Sequence, residues 1–280
     1  MPKKKARKSR AKKPVVEDQL KRLKAEIEHL KEVSHSKDEF IRITNHELRT
    51  PLDVIRGNID MLLKGEAGVI PDQVKEYLKD VLLGADRLTK LVNAMLDISQ
   101  AESGRMKFSL EEIDMNTFLK NIDEEFSPIA KEKGIMLYLK ADINLPRVLS
   151  DRNKLYQIVD NLLGNAMKFT PREGSVTIRG SKNGGMVRIA VQDTGIGIRK
   201  EDAEKLFKRF PNIDTSVIGA PKGNGLGLAL IHQIANRLLG KMWVESAGLG
   251  KGSTFIFELP AVGTSGAKKL SALYPKQSKK

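Results

Sequence analysis

His46 and Glu47 are adjacent in the stretch F-I-R-I-T-N-H-E-L-R-T-P-L. A carboxylate beside an imidazole suits nucleophilic work, because it can hold one ring N–H and raise the nucleophilicity of the other nitrogen. On a helix of about 100° per residue, His46 stands about 160° from Leu48 and about 120° from Leu52, so it points away from their apolar seam. Taken singly, the pair is also compatible with an ordinary surface histidine. His29, His35 and His232 have no comparable setting and read as helix-surface residues.

A second group lies far downstream. Asn161 and Asn165 are four residues apart and share one helix face with Lys168, among Leu162, Leu163 and Met167. Amides inside an apolar helix are costly unless something binds them, and amide oxygens are hard donors that suit Mg²⁺. A helix–helix hydrogen bond is the competing explanation. Asp193-Thr194-Gly195-Ile196-Gly197 follows a strand pattern directly, and Gly223-Asn224-Gly225-Leu226-Gly227 opens a helix pattern. A glycine-rich turn running into a helix offers backbone N–H groups and a positive dipole end to phosphate. Neither glycine cluster has the lysine signature of a Walker A loop or the compact triplet of the dinucleotide fingerprint. Each cluster also reads as a plain turn.

The elements that must position these groups follow from the hydrophobic period. From Val15, Leu20, Leu23, Ile27 and Leu30 form a heptad-like seam, continued by Leu48, Leu52, Ile55, Ile59 and Leu62. Pro51 predicts a local loosening. Gly65, Gly68 and Pro71 mark a turn, and Leu78, Leu82, Ala85, Leu88, Val92 and Met95 carry a second amphipathic helix to Ser103-Gly104. Two such hairpins bury both seams as a four-helix bundle, which predicts a homodimer. Beyond Gly104 the pattern becomes α/β. Helices are predicted over 115–133, 151–169, 201–207 and 226–239, with strands over 135–142, 175–180, 186–193, 241–247 and 253–260. The patternless stretch between Phe210 and Gly225 is long for a compact domain, which marks it as functional.

Composition removes several alternatives. The 280 residues contain no cysteine, so disulfide, thiolate and thiolate–metal chemistry are excluded, and 40% hydrophobic residues suffice for a real core. No apolar run reaches the roughly 18 residues needed to span a bilayer, and the first residues show no signal peptide. The sequence thus reads as a soluble, cytoplasmic chain. The net charge of +14 sits almost wholly in two tails: eight Lys/Arg and no acid in residues 1–13, five Lys and no acid in residues 261–280. These tails are expected to lack fixed structure, and they offer either solubility or a weak electrostatic contact with nucleic acid or an anionic membrane.

The order H-E-L-R-T-P-L, N-L-L-G-N-A-M-K-F-T-P, D-T-G-I-G-I, F-K-R-F and G-N-G-L-G-L resembles the sensor histidine kinase family of two-component systems, over roughly residues 36–260. The resemblance implies a helical-hairpin dimerisation and phosphoacceptor domain over residues 15–103 and a catalytic α/β two-layer sandwich over 109–260, flanked by tails 1–14 and 261–280. It implies autophosphorylation of His46 from ATP with Mg²⁺, and transfer to an aspartate of a response regulator receiver domain. Glu47 matches the general base, and Thr50 the position that orients water in members that also dephosphorylate their partner. Asn165 matches the Mg²⁺ ligand, Asn161 and Lys168 the phosphate contacts, and Asp193 the carboxylate that reads the adenine amino group. Gly195 and Gly197 match the close approach to nucleotide. Phe207 and Phe210 match the aromatic anchor of a lid over 211–224, while Gly223, Gly225 and Gly227 match its hinge and the phosphate-contacting helix start.

Three departures stand out: Asn45 where the family most often has Ser, Arg199 where Pro is usual, and a lid whose basic content is Lys222. Two other readings compete with the kinase. One is a dimeric ATP-binding scaffold without activity, against which His46, Glu47 and Asn165 argue. The other is a nucleic-acid-binding protein, which the near-neutral body and 5% aromatic content disfavour.

Overall fold

The computed structural model describes the backbone over residues 5–209, 211 and 225–275, and the side chains over the same span except at residues 5–18, 20, 21, 25, 30, 31, 34 and 38. The chain divides after Ser103 into two compact units.

The first unit is a helical hairpin. Helix α1 spans Lys5–Leu63 and α2 spans Asp72–Glu102. Gly65 and Gly68 turn the chain between them with φ of 78° and 108°, conformations that side chains with a Cβ rarely adopt. The helices run antiparallel, as the ion pairs Arg56–Asp86 (3.8 Å) and Lys37–Glu102 (3.9 Å) show. Each helix carries two apolar stripes. Ile41, Leu52 and Ile59 of α1 and Ala85 and Val92 of α2 are buried within the hairpin. Leu48 and Ile55 of α1, and Val74, Val81, Leu88 and Met95 of α2, remain exposed at seven-residue spacing. Helix α1 passes through Pro51 unbroken. The Leu20 and Leu30 positions of the expected seam lie outside the described side chains.

The second unit is built on a five-stranded mixed sheet. In chain order its elements are β1 (Glu111–Ile113), α3 (Met115–Glu132), β2 (Met136–Ala141), β3 (Val148–Ser150), α4 (Arg152–Phe169), β4 (Ser175–Asn183), β5 (Met186–Asp193), α5 (Lys200–Ala203), α6 (Gly227–Arg237), β6 (Lys241–Glu245), β7 (Ser253–Pro260) and α7 (Ser265–Leu273). The main sheet has the order β2-β4-β5-β7-β6, with β2 parallel to β4 and the other pairs antiparallel. Helices α3, α4 and α6 pack on one face, giving two layers. Alternation makes this possible: Val176 and Ile178 of β4, Val187, Ile189 and Val191 of β5 and Phe255, Phe257 and Leu259 of β7 are buried, while Arg179 and Gln192 face solvent. Leu155, Ile158, Val159, Leu162 and Leu163 of α4 are fully buried and make it the central helix of the core. Asp114 and Asp151 cap α3 and α4 through Thr117 and Lys154 N–H.

Three parts of the structure differ from the sequence reading. Helix α1 already begins at Lys5, within the tail 1–14 expected to lack structure, because Lys, Ala and Arg are strong helix formers that charge counting undervalues. At the other end, the tail 261–280 contains α7. Thr264 caps it by accepting from Ala267 N–H, and Ala267 and Leu270 are buried. Residues 276–280 lie outside the described residues. The short strands β1 and β3, paired antiparallel with each other, were also not foreseen.

Candidate functional site

In the first unit the histidine lies on the solvent side of α1. The His46 side chain is 78% exposed, and its Nδ1 stands 3.7 Å from Glu47 Oε1. The carboxylate is thus poised at one ring nitrogen, and Nε2 is left for a reactant. One turn on, the Thr50 hydroxyl donates to the His46 carbonyl at 3.3 Å. This is the ordinary back-bond of a helical threonine to the carbonyl four residues before it. On the inner side Arg49 donates to Asn93 Oδ1 of α2. Asn45, immediately before His46, is buried, and its Nδ2 has no hydrogen-bond partner.

In the second unit three elements converge. Helix α4 supplies the amides: Asn165 Nδ2 donates to Asn161 Oδ1 at 3.2 Å, a bond that engages the Asn165 nitrogen and not its oxygen. Lys168, on the same face, sits with Nζ 5.0 Å from the Phe169 ring centroid. Helix α6 arrives from above with no side-chain cap at its N-terminus. Its first residue, Gly227, lies so close to α4 that a Cβ would fall 2.4 Å from Asn161 Nδ2. A side chain there would push the Asn161 amide aside, and the close approach places bare first-turn N–H groups beside the amide pair. Gly225, with φ of 65°, makes the turn into this helix.

Strand β5 supplies the third element and ends in Asp193, which is 6% exposed. Its Oδ1 accepts from Gly195 N–H (2.8 Å) and Ser253 N–H (3.2 Å), and its Oδ2 accepts from the Ser253 hydroxyl (2.5 Å). The following loop is wedged between α4 and the β6–β7 turn. Ile196 N–H donates to Phe169 O (3.2 Å), while Gly250 and Gly252 N–H donate to Ile196 O (2.7 Å) and Gly195 O (3.1 Å). A Cβ at Gly197, whose φ is 71°, would fall 2.0 Å from Gly248 O. Gly195 and Gly197 therefore serve packing of the loop as much as access to a ligand. Ser253 and the 246–252 turn were missed in the sequence; the available signal was the run Gly250-Lys251-Gly252-Ser253 at the start of β7.

Phe207 stacks on His232 of α6 at 5.0 Å and meets Phe255 of β7 edge-on at 6.5 Å. Burial holds the His232 imidazole below the usual histidine value, so this residue is part of the Phe207 seat rather than a surface group. Just before it, Asp202 is buried and bonded by Arg199 Nε (2.7 Å) and Lys205 Nζ (3.1 Å). Burial pushes its carboxyl up, but the two cations outweigh burial and hold it below the ordinary range. Phe210 and the stretch 212–224, which includes Gly223, lie outside the described residues.

The donor set fits a nucleoside triphosphate with a hard divalent cation: a buried oriented carboxylate, amide oxygens, a lysine and uncapped helical N–H groups. Residues 36–104 match the His Kinase A (phospho-acceptor) domain, and residues 150–263 match the Histidine kinase-, DNA gyrase B-, and HSP90-like ATPase family. The chain belongs to the sensor histidine kinase family of two-component systems. An uncharacterised sensor-like histidine kinase of Rhizobium meliloti is 32% identical over 90% of this chain and 48% of its own length. Among solved histidine kinases, full-length ShkA in complex with AMPPNP is 31% identical, with a TM-score of 0.69 over 81% of this chain and 47% of that one. ThkA in complex with the response regulator protein TrrA is 26% identical, with a TM-score of 0.56 over 80% of this chain and 61% of that one. This histidine kinase chain spans between 27% and 48% of the first curated relatives it matches. Among the described residues, no helix is long and apolar enough to cross a membrane.

Proposed function

We propose that the chain is a protein histidine kinase core that phosphorylates His46 from ATP in the cytoplasm and passes the phosphoryl group to a receiver-domain aspartate of a response regulator. The observation that carries this reading is the exposed His46 imidazole, with Glu47 at Nδ1 and Nε2 open. Asp193 accepts the adenine amino group, held for that purpose by Ser253 and Gly195. Lys168, Asn161 and the first turn of α6 contact the phosphates. Asn165 would hold Mg²⁺, which supplies neutralisation of phosphate charge when bound.

In the transfer step, the lone pair on His46 Nε2 forms the new N–P bond as the bond from the γ-phosphorus to the bridging oxygen breaks, releasing ADP. Glu47 takes up the charge, and then the proton, that the imidazolium presents at Nδ1. The acyl phosphate of the receiver is formed by the reverse logic: Glu47 returns the proton to Nδ1, the receiver carboxylate attacks phosphorus, and neutral imidazole leaves as the N–P bond breaks. Thr50, one turn after His46, would orient water in a dephosphorylation reaction. The exposed heptad stripes of α1 and α2 support a homodimer, in which two hairpins close a four-helix bundle. The basic tails add at most weak contacts to nucleic acid or anionic lipid.

The test is incubation with γ-labelled ATP and Mg²⁺. An acid-labile, alkali-stable label is expected on the wild type and absent from His46→Gln, which still binds nucleotide. A His46→Gln protein that labels normally removes His46 from the mechanism. Nucleotide binding with no label under any condition favours an inactive ATP-binding scaffold.

A further inference from the structure

The C-terminal helix α7 lies beyond residue 263, where the match to the ATPase family ends. It is nonetheless packed: Leu270 is fully buried, Ala267 is 5% exposed, and the helix rests on β3. Its entry is fixed by the Thr264 hydroxyl, which donates to Ala261 O at 2.7 Å, and by Val262 N–H, which donates to Arg147 O at 2.8 Å. At its far end Tyr274 meets Phe108 ring edge to ring face, with centroids 4.8 Å apart and planes at 63°.

Phe108 belongs to the segment that enters the second unit from the hairpin. That segment is tied down on both sides of the ring contact. Met106 is 3% exposed, Leu110 is buried, and Ser109 N–H donates to Asp151 Oδ2 at 2.7 Å. The other oxygen of Asp151 caps α4 through Lys154 N–H at 3.0 Å. One carboxylate therefore joins the entering segment to the helix that carries Asn161 and Asn165. Glu111, next along, pairs with Arg152 at 2.8 Å in the first turn of the same helix.

We propose that α7 is a clasp that pins residues 106–110 to the ATP-binding unit and thereby restrains autophosphorylation. The inference rests on the kinase reading above, because a restraint matters only if nucleotide must be carried to His46. Five residues of free extended chain reach about 17 Å. Pinning them confines the hinge to Ser103–Arg105 and removes that reach, so fewer orientations of the ATP-binding unit are open to it. Release of Tyr274 from Phe108 removes the tie that α7 supplies. The remaining ties at Met106, Ser109 and Leu110 then open more readily, and the reach is recovered more often without touching any group at the nucleotide site.

The experiment uses the full chain as Tyr274→Ala and Tyr274→Phe, with hydrogen exchange at amides 106–110, the initial rate of His46 labelling, and the affinity for AMPPNP measured separately. In Tyr274→Ala, exchange at 106–110 should rise at least tenfold relative to β4 and β5. Labelling should rise severalfold, and AMPPNP affinity should stay within twofold of wild type. Tyr274→Phe keeps the ring and should match wild type in all three. Unchanged exchange at 106–110 overturns the clasp, and loosened exchange with equal or slower labelling overturns the restraint. A wild type that never labels His46 sinks the kinase reading and the restraint with it. A wild type that labels beside a Tyr274→Ala protein that labels no faster sinks the restraint alone.

Discussion

The Ser253 hydroxyl donates a 2.5 Å hydrogen bond to Oδ2 of Asp193, across the ladder that joins β7 to β5. With Gly195 and Ser253 N–H on Oδ1, the carboxylate is held in one orientation before any ligand arrives. Asp193→Asn converts an ionised acceptor into an amide with one donor end, and a hydrogen bond to a charged group contributes about 1.5–3 kcal/mol. Its affinity for ATP should therefore fall by roughly 10- to 150-fold, read by calorimetry. Ser253→Ala removes one neutral anchor and should weaken binding less, by about 2- to 10-fold. If Ser253→Ala binds as wild type, the serine is only the first residue of a strand.

Glu47 can be separated from nucleotide binding. It sits beside His46 Nδ1 on α1, whereas the proposed nucleotide contacts belong to the second unit. Glu47→Gln should lower the autophosphorylation rate by about 10²- to 10⁴-fold, the usual range for general base catalysis, while the KM for ATP stays unchanged. A normal rate in this variant would falsify the role given to Glu47.

Asn45 puts an amide where the hairpin core calls for a hydrocarbon. It shares the inner face of α1 with Ile41 and Leu52, and its buried Nδ2 lacks a partner. An unsatisfied buried donor costs about 1–3 kcal/mol, so Asn45→Leu should raise the melting temperature of the protein. A fall in melting temperature would mean that the amide finds a partner in solution, and that the polar layer beside His46 specifies packing.

The motifs of the candidate site were legible because each depends on local order: His46-Glu47 on one helix, Asn161, Asn165 and Lys168 at helical spacing, and glycines where strands or loops turn. Most helices and strands of the second unit followed for the same reason, since α4 and β5 have clean periodicity, although β4 runs on to Asn183 past the expected 180 and the helix expected over 201–207 is only Lys200–Ala203. The tertiary partners were not legible. Nothing in the spacing of Ser253, sixty residues from Asp193, says that the two meet; that contact is set by the register of β5 with β7. Strands β1 and β3 have three residues each, too few to show alternation. Helix α7 was hidden by its lysines: Ala267, Leu270 and Tyr274 hold it in place, but the surrounding charge and small residues read as tail. The lid stretch 212–224 lies outside the described residues.

Asp202 makes the seat of Phe207 sensitive to acid. Arg199 and Lys205 hold its carboxyl below the ordinary value of 3.8 despite burial. A group whose folded value is depressed adds stability that is fully present above the unfolded value and is lost as pH falls through the folded one. The contribution should be intact at neutral pH and disappear below about pH 4. Asp202→Asn should flatten the acid side of the stability–pH curve, measured as melting temperature between pH 3 and 6. An acid limb identical to wild type would assign acid loss to other carboxylates.

The two stripes of each hairpin helix set up the last prediction. Ala85, Val92 and Ile98 of α2 and Ile41, Leu52 and Ile59 of α1 are buried within the hairpin, which completes it by itself. Val74, Val81, Leu88 and Met95 then remain 40–51% exposed at a strict seven-residue interval, with Leu48 and Ile55 similarly exposed on α1. A sustained heptad of that kind is a helix-packing surface rather than scattered surface carbon. Leu88→Asp places a charge in the middle of the stripe without entering the hairpin core. It should convert a dimer to a monomer by light scattering, while nucleotide binding by the second unit stays as in wild type. If the wild type is itself monomeric at tens of micromolar, the four-helix bundle is wrong, and these stripes must be covered by something other than a second copy.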